Sequence, residues 1–173
     1  MDGTEGARMT SFLPGPGAER AYLDALGTFG TGVTVVTALA ETGPIGITAN
    51  SFSSVSLRPP LVLWSVDRGA DRFEGFNAAR FTAIHVLGEG QADLAMRFAK
   101  RGADAFDGLD WTLGEDGTPL LDGCLSRFEC ESVANHAGGD HRILVSQVLR
   151  VSLAGGRPLI FAGGAFGGFA ANG

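Results

Sequence analysis

The chain has 173 residues, 45% of them hydrophobic and 18% charged, with a formal net charge of −6. That length and apolar content suit one domain with a buried core and exclude wholesale disorder. The acidic balance argues against general nucleic-acid binding, which needs a basic surface. No apolar run is long enough to span a bilayer, and no apolar h-region of a secretory signal follows Met1. The only cysteines, Cys124 and Cys130, match no zinc or redox spacing. Both are read as reduced and the chain as cytoplasmic.

Residues 1–17 are polar with Gly and Pro and are expected to form a loosely ordered tail, with a single domain over 18–173. A short helix is predicted over 18–26, with Tyr22, Leu23 and Leu26 on one face and Gly27 as its stop. The glycine-rich run 27–32 follows that helix and precedes a β-branched strand over 33–38. A phosphate-binding dinucleotide loop needs the opposite order, strand then helix, so a Rossmann reading is set aside.

A turn over 41–44 leads to a second strand, and a third follows the double proline Pro59-Pro60. Between them stand Thr48, Asn50, Ser51, Ser53, Ser54 and Ser56. Small hydroxyl and amide groups at a strand end suit an anion or a flat polar ring. They equally suit an ordinary Ser/Thr-rich strand and loop. Helices are predicted over 72–79 and 91–100, the latter with Leu94, Ala95 and Phe98 on one side, and a strand over 81–87 lies between them.

Residues 102–123 are turn-rich. Residues 124–133 alternate, with Cys124, Ser126, Phe128 and Cys130 on one face and Arg127, Glu129 and Glu131 on a polar face expected to be solvated. Residues 141–153 alternate as well, with Ile143, Val145, Leu149 and Val151 on one face. A hairpin-type link connects them to a strand over 158–162. The glycine-rich end, 163–173, carries no helix signal. Six or seven strands and three short helices predict a mainly β fold, a barrel with helices at its edges.

No nucleophile elbow and no phosphoryl-transfer signature is present. His136, Asp140 and His141 are ligand types for zinc or iron, but their spacing matches no metal motif. His141 follows Gly-Gly-Asp and opens a strand. A rim histidine beside an aspartate suits a charged ligand or a proton, and suits a structural role at the loop–strand junction as well.

Several motifs occur together and in order: Gly30-Thr-Gly-Val-Thr-Val-Val-Thr37, Thr48-Ala-Asn-Ser-Phe-Ser-Ser-Val-Ser56, Pro59-Pro-Leu-Val-Leu63, Phe98-Ala99, Pro119-Leu-Leu121, Gly139-Asp-His141 and Pro158-Leu-Ile-Phe161. In this combination the chain resembles the flavin reductase-like family over residues 21–168. That family has an FMN-binding split β-barrel and includes the reductase components of two-component flavin-dependent monooxygenases.

The resemblance implies an NAD(P)H:flavin oxidoreductase using FMN or FAD, with NADH or NADPH as hydride donor. The reduced flavin would pass to a separate oxygenase, and the chain would form a homodimer with each flavin near the interface. It implies that Thr31 lines the flavin site, and that Thr48, Ala49, Asn50 and Ser51 bond the isoalloxazine edge, largely through backbone groups. Ser54, Val55 and Ser56 would approach the ribityl phosphate, and Arg68 and Arg72 would add charge. Gly139, Asp140 and His141 would face the nicotinamide, with His141 the catalytic candidate. No metal is implied.

His85 stands where many relatives carry Asn, beside the ring. It is expected to tune the flavin through a charge change near neutral pH. The loop Gly69-Ala-Asp-Arg72 lacks the family's serines. Two readings from other classes compete with the reductase: a flavin carrier or sensor without reductase activity, and an oxygenase with a tightly held flavin of its own.

Overall fold

The computed structural model describes residues 9–102 and 105–171. Its main sheet is seven-stranded and antiparallel throughout, with β3 (Gly43–Ala49) at one end and β4 (Ser53–Leu57) at the other. Between them in space run β2 (Thr34–Ala40), β6 (Phe81–Val86), β9 (Ser126–Gly138), β10 (His141–Leu153) and β5 (Pro60–Asp67). In a flat sheet the two end strands would stand about 29 Å apart, six spacings of roughly 4.8 Å. The link between them, Asn50-Ser51-Phe52, reaches at most about 14 Å. The sheet therefore curls into a barrel with a split between β3 and β4.

β2 is buried on both faces, as its near-continuous apolar run requires. Val36 and Ala38 join Trp64, Phe76, Ile84 and Leu144 in the barrel interior. Val33 and Val35 face a second core with Leu87, Phe98 and Leu159. That outer core is covered by α3 (Ala92–Ala99) and by a three-stranded sheet of β1 (Thr31–Gly32), β11 (Leu159–Ala162) and β12 (Ala165–Gly168). α2 (Phe73–Ala78) crosses from β5 to β6 and buries Phe73 and Phe76.

The three predicted helices are present within a residue or two; α1 spans Glu19–Gly27 and buries none of its side chains. The strand count is larger than expected, twelve among the described residues. The additions come from short pairings in glycine-rich stretches with weak periodicity. One is the hairpin of β7 (Trp111–Leu113) and β8 (Pro119–Leu121), and another is β12, reached through Gly163 and Gly164 at positive φ. The expectation of a loose tail over 1–17 falls partly on residues 1–8, outside the described residues; 9–17 carry no helix or strand.

β8 corrects the reading of β9. Glu129 is not on a solvated face: its side chain is 10% exposed and lies 3.6 Å from Arg127. The β7–β8 hairpin lies over this polar face of the sheet. Three side chains from adjacent strands hold it there. Thr37 Oγ1 donates to the Pro119 carbonyl (2.5 Å), Leu121 N–H donates to His85 Nε2 (3.0 Å), and Arg127 reaches the Leu121 carbonyl (3.5 Å). Glu131, two residues on, is half-buried and pairs with Arg80 at 2.9 Å.

Candidate functional site

Antiparallel register brings the predicted site segments to one end of the barrel. Thr34 pairs with Ala49, so Thr31 before it and Asn50-Ser51 after it leave the same end of the β2–β3 hairpin. The Thr34 hydroxyl donates to the Ala49 carbonyl at 2.7 Å and pins that end. Ser51 then spans the split. Its Oγ accepts the Ser65 N–H at 2.9 Å and donates to the Ser65 carbonyl at 3.2 Å.

Ser65 pairs with Ile143 on β10, and Asp67 pairs with His141. His141 thus stands two residues, about 7 Å of strand, beyond the level of Ser51. The stretch 135–141 is paired strand closed by a two-residue turn, Gly139-Asp140. Gly139 has φ +69° and Asp140 a negative φ, the type II′ pattern that suits twisted strands. Arg68 N–H donates to the Asp140 carbonyl at 2.9 Å, tying this tip to the end of β5.

His141 Nδ1 lies 2.7 Å from Asp140 Oδ1, which leaves Nε2 as the free ring nitrogen. The hydrogen bond from His141, and then its charge, hold the Asp140 carboxyl below its ordinary value. His136 sits opposite Ile143 on β9, and among the described residues no three His, Cys, Asp or Glu side chains gather as a metal site.

β4 is the last strand of the sheet, so one row of its backbone N–H and C=O groups has no partner strand. A register shift between Ser54 and Ser56 places Val55 in a bulge. Thr31 Oγ1 is buried without a hydrogen-bond partner. Arg68 is exposed and makes no ion pair among the described residues.

Three predicted residues have their side chains engaged elsewhere, one of them Thr48, whose hydroxyl donates to the Ala95 carbonyl of α3. The Arg72 guanidinium donates to the Phe98 carbonyl (3.3 Å) and the Lys100 carbonyl (2.8 Å) at the end of α3. His85 is fully buried. Its Nδ1–H donates to the Val35 carbonyl (3.0 Å) while Nε2 accepts from Leu121. Burial, with the nearby Arg127 charge against it, pushes its pKa down to about 4, so it holds no charge near neutral pH. Its hydrogen bonds could not be foreseen because their acceptor and donor lie 50 and 36 residues away.

Two clefts, of about 760 and 490 Å³, open on either side of Arg72; neither is lined by Asn50, Ser51 or His141. The candidate site is an open shelf. At the far end of β10 from it, Leu149, Val151 and Leu153 are 47%, 54% and 80% exposed.

The split barrel carries its Thr-Ala-Asn-Ser segment and its Gly-Asp-His tip at one end, the arrangement that the resemblance to a flavin-binding class of protein implies. The flavin reductase like domain profile matches residues 26–170, and the chain belongs to that family. It is 52% identical over 158 residues to the FMN reductase (NADH) SmoA of Agrobacterium fabrum, covering 91% of this chain and 90% of that protein. It is 34% identical to the reductase subunit HsaB of a flavin-dependent monooxygenase from Mycobacterium tuberculosis, over 86% of this chain and 81% of that one. The Streptomyces globisporus NADH:FAD oxidoreductase SgcE6, solved with NAD and FAD fragments, superposes with a TM-score of 0.85 at 40% identity. That match covers 92% of this chain and 98% of SgcE6.

Proposed function

We propose that this chain is an NADH-dependent flavin reductase that takes up FMN or FAD, reduces it, and releases it to a separate oxygenase component. One observation carries the reading: the 48–51 segment, the Asp67-Arg68 end of β5 and the Gly139-Asp140-His141 tip, remote in sequence, meet at one end of the sheet. SmoA is an FMN reductase using NADH and SgcE6 an NADH:FAD oxidoreductase, which favours NADH here.

The donor set fits a flavin. Thr31 Oγ1 offers an unpaired buried hydroxyl, and Asn50 and Ser51 offer backbone groups at the ring edge. Ser54, Val55 and Ser56 bring the open backbone row of β4 toward the phosphate, and Arg68 supplies the nearby charge. When both are bound, the nicotinamide supplies a hydride and the flavin accepts it, so no strong protein acid or base is needed. The chain's work is orientation. Asp140 fixes the His141 ring through Nδ1, leaving Nε2 to meet the nicotinamide. Gly139 makes the turn that puts it there. His85 is a strut of the barrel wall.

A second copy of the chain covers the exposed apolar residues Leu149, Val151 and Leu153 of β10 and walls the open shelf, and the protein works as a cytoplasmic homodimer. The two free cysteines suit that compartment.

The test is to follow nicotinamide absorbance with NADH or NADPH against FMN or FAD. Oxidation of NADH that saturates in added flavin is expected. Flavin binding without turnover with any pair would make the protein a carrier instead.

A further inference from the structure

We infer that α3 is the part that sets where the flavin-holding segment sits, and that Arg72 and Thr48 act on flavin binding through it rather than by touching the ligand. The inference rests on the flavin site proposed above.

Three contacts grip α3. On β3, Gly46 lies under the Phe98 ring so closely that a Cβ there would overlap it. Two residues further along the same strand, Thr48 Oγ1 donates to the Ala95 carbonyl at 2.5 Å. At the helix end, Arg72 donates to the Phe98 and Lys100 carbonyls, which the helix itself leaves without partners. Its neighbour Asp71 accepts the Gly102 N–H at 2.7 Å, so one dipeptide holds both donors and acceptors of the segment after the helix.

β3 is the end strand of the main sheet and has no strand on its outer side. α3 lies over the outer face of β3, toward which Gly46 and the Thr48 side chain point, and covers the strand beside that free edge. From Thr48 the chain passes through Ala49 to Asn50 and Ser51. A helix anchored at its C-terminus by Arg72 therefore holds down a strand that the sheet supports from one side only. The Arg72 side chain is 12% exposed and spends its donors on α3. A residue held this way serves every flavin alike, with or without a phosphate.

The experiment compares riboflavin, FMN and FAD affinities by flavin fluorescence, at a temperature where each variant is folded by circular dichroism. Arg72→Gln is expected to weaken all three by the same factor, about tenfold, the loss of one charged hydrogen-bond set. Thr48→Val is expected to do the same, and Thr48→Ser to restore affinity within about twofold because it keeps the hydroxyl. A loss in Arg72→Gln confined to FMN and FAD would assign Arg72 to the phosphate and overturn the inference. Unchanged affinity in Thr48→Val overturns it as well, and that substitution keeps the test available if Arg72→Gln does not fold. Failure of the wild-type protein to bind any flavin would overturn the functional reading itself, a result distinct from either variant outcome.

Discussion

Ser51 Oγ accepts the Ser65 amide hydrogen and donates to the Ser65 carbonyl, at 2.9 and 3.2 Å. One hydroxyl thereby replaces a strand residue in the ladder at the point where β3 and β4 part. It seats Ser51, with Asn50 before it, against Ser65, two residues before the Asp67 end of β5. Ser51→Ala removes both bonds and leaves two part-buried backbone groups to find water. A destabilisation of about 2 kcal/mol is expected, roughly 1 kcal/mol per bond. Flavin affinity should fall with it. Denaturant unfolding and a flavin titration on the same sample check both.

His85 makes stability depend on pH. Its ordinary pKa of 6.5 drops to about 4 in the folded chain, mainly because burial disfavours the charged ring. Protonation would also set an Nε2 hydrogen against the Leu121 N–H. Between those two values the unfolded chain binds the extra proton and the folded chain does not. Stability from this group is therefore complete above pH 6.5, declines as the pH falls toward 4, and declines no further below it. The total is about 3 kcal/mol. Urea unfolding at several pH values should show the slope, and His85→Gln should flatten it.

His141 is expected to act on the nicotinamide alone. His141→Ala should raise the KM for NADH or lower kcat while flavin binding persists. Asp140→Asn, which keeps the side-chain shape and removes the charge that orients the ring, should give a smaller change in the same direction. Kinetics equal to wild type in His141→Ala would remove it from the site.

Gly46 allows α3 to close on β3. In Gly46→Ala the added methyl would meet the Phe98 ring, itself fully buried and stacked edge-on against Phe106 at a centroid distance of 5.2 Å. Phe98 is fully buried and must shift to admit the methyl, so a loss of about 1–3 kcal/mol is expected by thermal or urea unfolding.

The exposed apolar residues at the far end of β10 should carry the dimer contact. Val151→Glu places a charge among Leu149, Val151 and Leu153, all of them exposed. Folding stability of the protomer should change by less than about 0.5 kcal/mol. Sedimentation should show a shift from dimer to monomer, and with it weaker flavin binding, because the shelf loses its second wall.

Much of the architecture was legible from local pattern alone. The β-branched run in β2, the alternation in β10 and the three short helices follow from side-chain periodicity. The segments Thr48–Ser51 and Gly139–His141 stand out by composition and, in combination, point to the family. Periodicity did not reveal which face of an alternating strand is inside. In β9 it put Glu129 in solvent, whereas the β7–β8 hairpin covers it. In β10 it grouped Ile143, Val145, Leu149 and Val151, but the register shift between Val148 and Arg150 changes the alternation, so Val151, opposite Phe128, shares the side of Leu144 rather than that of Ile143 and Val145.

The sequence by itself determined the helices and the longer strands, the family and the residue types at the site, because those depend on neighbours along the chain. Only the tertiary structure decided what His85 and Arg72 do. Each looked like a contact for the ligand, one by its place beside the ring and the other by its charge. Each spends its hydrogen bonds on backbone groups 26 to 50 residues away. A side chain's chemistry is written in its residue type, but its partner is chosen by how the sheet curls. In this chain that curl follows from three residues joining the first and last strands of one sheet.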